Sequence, residues 1–131
     1  MSTKTERPHA GEFIVSEANG YRSRDQVTVT VPTGEVSSPG LILGKITATG
    51  KYVARNEAAG TGEQTAKGVL FNELDNSAGG APADFIATIV NGDAEVLGPS
   101  CDANGGTEAT VLSELLTLGI KVRGDLSNVA T

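Results

Sequence analysis

Residues 40–71 read GLILGKITATGKYVARNEAAGTGEQTAKGVLF, and this stretch decides the fold. Leu41–Ile46 and Lys51–Arg55 are β-prone runs, and the small, polar, glycine-ended Thr47-Ala48-Thr49-Gly50 between them reads as a hairpin turn. Asn56–Gln64 is a tract of Gly, Ala, Glu, Asn and Thr that cannot build a core. It delivers the chain to a third strand at Ala66–Phe71, and three consecutive strands predict a meander.

Working outward, residues 27–31 read VTVTV, with the three valines on one face and the two threonines on the other, the period of a half-buried strand. Pro32-Thr33-Gly34 ends it. Asn72–Asp84 accumulates loop formers and predicts a long loop. Phe85–Val90 and Asp93–Leu97 flank Asn91-Gly92, whose residue types suit the positive φ angles of a type I′ turn, so a tight hairpin is expected here. Thr107 is placed to cap a helix with Glu108 in its first turn, Val111, Leu112, Leu115, Leu116 and Leu118 on one face, and Gly119 as its terminator. Val111, Leu115 and Leu118 read as a core face. Ile120–Arg123 alternates as a short strand, and Gly124–Thr131 is expected to fray.

The chain has 131 residues, of which Leu, Ile, Val and Phe account for 31, enough for one modest core; Gly is abundant at 17 and Trp absent. The expected fold is mostly β with one C-terminal helix (α+β), a small β-clip or partial-barrel body at residues 26–131, and a flexible N-terminal arm at residues 1–25. Residues 1–12 are polar and broken by Pro8 and Gly11, and are expected to be disordered in isolation. Phe13-Ile14-Val15 is the only apolar cluster before residue 27. It has two readings: an N-terminal strand docked on its own domain, or a tether for another protein. Ser16–Asp25 adds a turn at Asn19-Gly20, with Arg22 and Arg24 around Ser23, a charged run that suits a solvated face.

The formal charge is −6, and division of the chain locates it: residues 1–25 hold four basic and four acidic side chains, leaving six against twelve in the body. That body lacks the basic stripe required by nucleic acid and repels anionic membranes, so neither is expected as a partner. The N-terminus has no apolar leader segment and no later run approaches a membrane span, so a soluble, unexported chain is expected. The single cysteine, Cys101, cannot form an internal disulfide and, with no basic neighbour, reads as an inert packing thiol.

Catalysis needs a held base, and the only histidine is His9, in the arm. One Cys and one His cannot make a zinc site, and Asp102-x-Asn104-Gly105 lacks the glutamate of a calcium loop, position 113 being Ser113. Asp93 and Glu95 read as charges that protect a hairpin edge. The Gly60-Thr61-Gly62 and Gly105-Gly106 segments lack the Lys-Ser/Thr of a phosphate loop. No enzyme activity, metal or cofactor is expected, and function is assigned to surfaces and the arm.

The segments EFIVSEANGYRSRDQVTV at 12–29, PGLILGKITATGKYV at 39–53, AKGVLF at 66–71 and VNGDAEV at 90–96, followed by the helix, resemble the lambda-type head decoration proteins of tailed bacteriophages. That resemblance implies a homotrimer bound to the major capsid protein on the outer surface of the expanded head, a virion protein made in the host bacterial cytoplasm that stabilises the shell against packaged DNA. It further implies an arm that is mobile in solution and orders on the shell by adding to capsid sheet structure. Here that role falls on Phe13, Ile14, Val15, Ser16, Glu17, Arg22, Ser23, Arg24 and Asp25. A trimeric glycan- or receptor-binding tip domain of a fibre, working through residues 72–84 or 100–106, is the alternative.

Overall fold

The computed structural model describes residues 8–130. Strand β1 (Ile14–Glu17) and the one-turn helix α1 (Gly20–Ser23) precede β2 (Arg24–Val31), β3 (Val36–Ser37), β4 (Ile42–Lys45), β5 (Tyr52–Ala54) and β6 (Ala66–Leu70). Then come β7 (Leu74–Asp75), β8 (Ala83–Val90), β9 (Ala94–Leu97), a 3-10 turn at Gly98–Ser100, α2 (Glu108–Thr117) and β10 (Ile120–Arg123). The fold is mostly β with one substantial helix near the C-terminus, as the composition and patterning indicate.

Strands β2, β5, β4, β6 and β8 close into a barrel, and β1, β9 and β10 form a separate sheet beside it. Two cores result. Val29, Val31, Leu41, Leu43, Leu70, Leu74, Ala87 and Ile89 fill the barrel, while Phe13, Ile42, Val69, Val90, Val96, Cys101, Val111, Leu115 and Ile120 pack between the barrel wall, the second sheet and α2. Successive strand residues point to opposite faces, so Ile42 and Leu43, Val69 and Leu70, and Ile89 and Val90 each split between the two cores. Strands buried on both faces need near-continuous apolar runs, which explains why residues 40–44 and 68–71 lack polar alternation.

The 42–54 hairpin is present, with Gly50 at φ 73° closing its turn. The meander is not. Strand β6 pairs with β4, because the outer edge of β5 is taken by β2 through Val29 and Tyr52. Residues 56–65 double back over the hairpin to make this possible, with Asn56 N donating to Glu63 O and Thr47 N to Thr61 O, each at 3.0 Å. Gly44 lies directly under that return; a Cβ there would stand 2.2 Å from Glu63 O.

The expected hairpin at Asn91-Gly92 is also absent, since β8 and β9 belong to different sheets. Both flanks of β8 are occupied at Val90, by Arg24 of β2 and Val69 of β6, so the chain after it must cross over. Asn91 N donates to Ser23 O at 3.0 Å, and the positive φ falls on Asp93, at 46°, and not on Gly92. Asp93 and Glu95 therefore guard no hairpin edge; Asp93 faces Arg22 at 3.6 Å and Glu95 pairs with Arg123 at 2.8 Å.

Two further segments are more ordered than their composition suggests. Within 72–84, β7 pairs with β3, and the buried Asn76 amide donates to the carbonyls of Val31, Pro32 and Ala81 at 3.0–3.2 Å. The tail does not fray through residue 130: Leu126 is buried, Ser127 N donates to Cys101 O at 3.0 Å, and Ala130 N to Gly106 O at 2.9 Å. At α2, Thr107 makes no side-chain cap of its own. Glu57 does that work from the distant loop, accepting the Thr107 N–H at 3.0 Å and its hydroxyl at 2.6 Å, an anion at the positive end of the helix.

Candidate functional site

Phe13-Ile14-Val15 takes the first of its two readings. It is seated on its own subunit. Phe13 is 1% exposed and joins the core beside Val96, Val111 and Ile120; one large aromatic side chain in a chain with few of them is too valuable to leave in water. Its carbonyl accepts from Leu97 N at 2.7 Å. Strand β1 then runs antiparallel to β9 with Ile14 opposite Val96, Ser16 opposite Glu95 and Glu17 opposite Ala94, and a bulge between Ile14 and Ser16. The bulge leaves Val15 53% exposed.

Residues 8–12 form a turn, with Glu12 N donating to His9 O at 3.1 Å and Ile14 N to Gly11 O at 3.0 Å. The expectation of disorder for residues 1–7 lies outside the described residues. Downstream, Ala18 N donates to Asp93 O at 2.9 Å, and α1 reverses the chain at the expected Asn19-Gly20.

Part of the charged run is a built cluster. Arg24 donates to Glu17 through both Nε, at 3.1 Å, and Nη2. Ser23, fully buried, donates its hydroxyl to the same carboxylate at 2.7 Å. The Arg24 guanidinium and the Ser23 hydroxyl hold the Glu17 carboxyl below the usual carboxylate range. The guanidinium carbon of Arg24 also lies 4.2 Å from the centroid of the Phe71 ring, a cation–π contact. Arg24 and Asp25 belong to β2 opposite Val90 and Ile89, so the last two residues of the expected arm are barrel wall. Arg22 and Asp25 are exposed.

The structure thus brings Phe13, Ile14, Glu17, Ser23 and Arg24 into one seat and leaves Val15, Ser16, Arg22 and Asp25 exposed. Phe71 and Gly11 are members of this site that sequence reading missed. Gly11 sits at φ 70° with its N–H on Phe71 O at 3.0 Å, and nothing in a short strand's last residue marks it as a platform.

Among the described residues, strand β1 lies at the edge of its sheet, with β9 on its inner side. An edge strand offers backbone groups for pairing with a further strand, and Val15 is exposed on this one. Cys101 is buried in the second core, where desolvation pushes its thiol up to about 12, consistent with a packing residue. Asp102 uses Oδ1 to accept from Asn104 N at 2.7 Å and Asn128 Nδ2 at 2.9 Å, tying down the C-terminal tail.

A profile of the family described as bacteriophage lambda head decoration protein D matches residues 3–120. The chain belongs to that family. Neither the curated proteins nor the solved structures contain a significant match. Membership makes this chain a structural protein of the phage head that decorates the capsid, and the resemblance carried by the arm, the 39–53 hairpin and AKGVLF is borne out. As a head decoration protein it has an exposed β-edge in the segment whose motifs marked the family.

Proposed function

We propose that this head decoration protein binds the outer surface of the expanded capsid as a homotrimer, grips the major capsid protein through the segment Phe13–Asp25, and reinforces the shell against the pressure of packaged DNA. The observation that carries this reading is the open edge of β1 with Val15 exposed on it. Strand addition to such an edge is a common mode of recognition, main-chain bonds supplying affinity and flanking side chains specificity.

The energetics favour a segment that already has a seat. Ordering a dozen free residues would cost on the order of 12–24 kcal/mol in backbone entropy, whereas burial of an apolar triplet returns only about 5–8 kcal/mol. A segment already ordered on its own subunit avoids most of that cost, so main-chain bonds added at its outer edge, each worth about 0.5–1.5 kcal/mol net, count toward attachment. Three such segments on one trimer raise the effective concentration for the second and third contacts.

The test is co-sedimentation with expanded, undecorated heads. Because Phe13 is part of the core, deletion of residues 1–17 is paired with Val15→Asp, which alters only an exposed position. Binding weakened at least tenfold in both, with the Val15→Asp protein melting like wild type, is the expected result. Undiminished binding of both overturns the role of the arm.

A further inference from the structure

Among the described residues, β10 ends the β1-β9-β10 sheet on the side opposite β1, about 10 Å from it at the usual strand spacing. Helix α2 packs beside β10 and buries Val111 and Leu115 in the core. Leu112 and Leu116, neighbours at a spacing of four on the helix surface, are left on another face, and Leu116 is 66% exposed. Together with Ile120, Lys121 and Val122 they line a groove of about 220 Å³ between helix and strand. Ile86 is more exposed, at 79%, but it stands on β8 opposite Thr28 with the Thr30–Asp84 hydrogen bond beside it, a single apolar side chain among polar ones. At α2 an exposed leucine and an apolar recess adjoin.

Charge decides which partner suits the groove. The chain carries −6, so a second copy is repelled by most of this surface. Glu12 and Asp102 line the cavity beside Pro8 and Phe13, and Glu35 lines the one beside Val53 and Pro82. The groove between α2 and β10 is lined by no carboxylate and by one cation, Lys121. Lys121 stands opposite Glu95, which is already paired with Arg123, so cations outnumber anions along β9 and β10.

We infer that this groove is the contact between copies in the homotrimer, with Leu116 of one copy entering the groove of the next. The inference rests on the homotrimer of the proposed function and adds the surface that builds it. Attachment to the shell through β1 leaves the β10 end of the sheet free for a neighbour, and a head-to-tail contact of this kind closes into a ring when its rotation divides a full turn. Five lining residues are fewer than the roughly 20–30 a side of a stable interface, so the association is reversible and depends on concentration.

Association of the full chain is read twice, by sedimentation equilibrium in solution and by chemical cross-linking on expanded heads. Wild type is expected to reach three times its chain mass as concentration rises, or to cross-link as trimers on heads. Leu116→Asp, at an exposed position, is expected to weaken that association at least tenfold with an unchanged melting temperature. Lys121→Glu, which puts a carboxylate into the groove, is expected to do the same at low salt and to recover at about 1 M salt. Ile86→Asp is expected to associate as wild type does. Undiminished association of both groove variants, or its loss in Ile86→Asp, overturns the groove contact. Wild type that stays at one chain mass in solution and yields no cross-linked trimer on heads overturns the homotrimer reading on which the contact rests.

Discussion

The guanidinium of Arg55 is 1% exposed and donates from Nε to Glu114 Oε1 at 2.8 Å, fastening the end of the β4–β5 hairpin to α2. Glu114 also accepts from Ala66 N at 2.9 Å, and Arg55 Nη2 reaches Glu57 at 3.2 Å, so one buried cation joins hairpin, return loop, β6 and helix. Breaking a buried pair by removing one partner strands the other charge, at a cost of about 3–5 kcal/mol. Arg55→Ala is expected to lower stability by that amount in urea unfolding. A change below about 1 kcal/mol would mean that the pair does not hold α2 in place.

Gly106 is the necessary neighbour of that arginine. A Cβ there would stand 2.5 Å from Arg55 Nη1 and 3.0 Å from both Ala103 O and Val111 Cγ2, whereas Gly105, at φ 77°, has open space around it. Gly106→Ala is expected to cost about 1–3 kcal/mol through overpacking. Gly105→Ala should lose roughly 1–2 kcal/mol, from backbone strain alone. Thermal melts of the two variants, each made in the Arg55→Ala background as well, separate the causes: only the Gly106 penalty should shrink when the guanidinium is gone.

Cys101 should be silent toward thiol reagents in the native state. Its pKa of about 12 leaves almost no thiolate at neutral pH, and it is enclosed in the core. Ellman titration of folded protein is expected to show no fast-reacting thiol, and one thiol per chain in denaturant. Rapid native labelling would contradict the packing assigned to the 98–103 turn.

Acid should loosen the fold. Glu17, Glu57, Glu63, Asp84 and Glu95 all have carboxyls held below their ordinary values, by Arg24 and Ser23, by Thr107 and Arg55, by Thr61, by Lys51 and Thr30, and by Arg123 respectively. A carboxyl whose folded pKa is depressed contributes stability that is complete above its unfolded pKa, and that contribution is lost as pH falls through the folded value. Stability is therefore expected to hold from neutrality to about pH 5 and to decline below the ordinary carboxylate range near 4.5. Most of these groups are solvent-exposed and contribute little each, so Glu57→Gln should flatten the decline more than Glu63→Gln, because Glu57 also caps α2. Denaturant midpoints measured from pH 7 to pH 3 check both statements.

Much of the fold was legible because strand period and turn chemistry are local. VTVTV, the 42–54 hairpin and the helix with Gly119 at its end, φ 86°, each followed from neighbours in sequence. What was not legible was pairing. Whether β6 joins β5 or β4 depends on β2 having already taken the other side of β5, and Asn91-Gly92 has hairpin chemistry but serves as a crossover because β8 is flanked on both sides. The family and the segment that carries its motifs were legible from short patterns around Phe13 and Arg24. The seat was not, because Gly11 and Phe71 are sixty residues apart and the Glu17–Arg24 pair reads on paper like any surface charge run.

Counting bound copies on expanded, undecorated phage heads is the most direct check on the proposed attachment as a capsid decoration protein. The proposed homotrimer, seated at each local three-fold position of the shell, would give one copy per major capsid subunit, so titration followed by sedimentation should saturate at that ratio, with little binding to unexpanded heads. Absence of binding, or uptake that never saturates, would contradict the account.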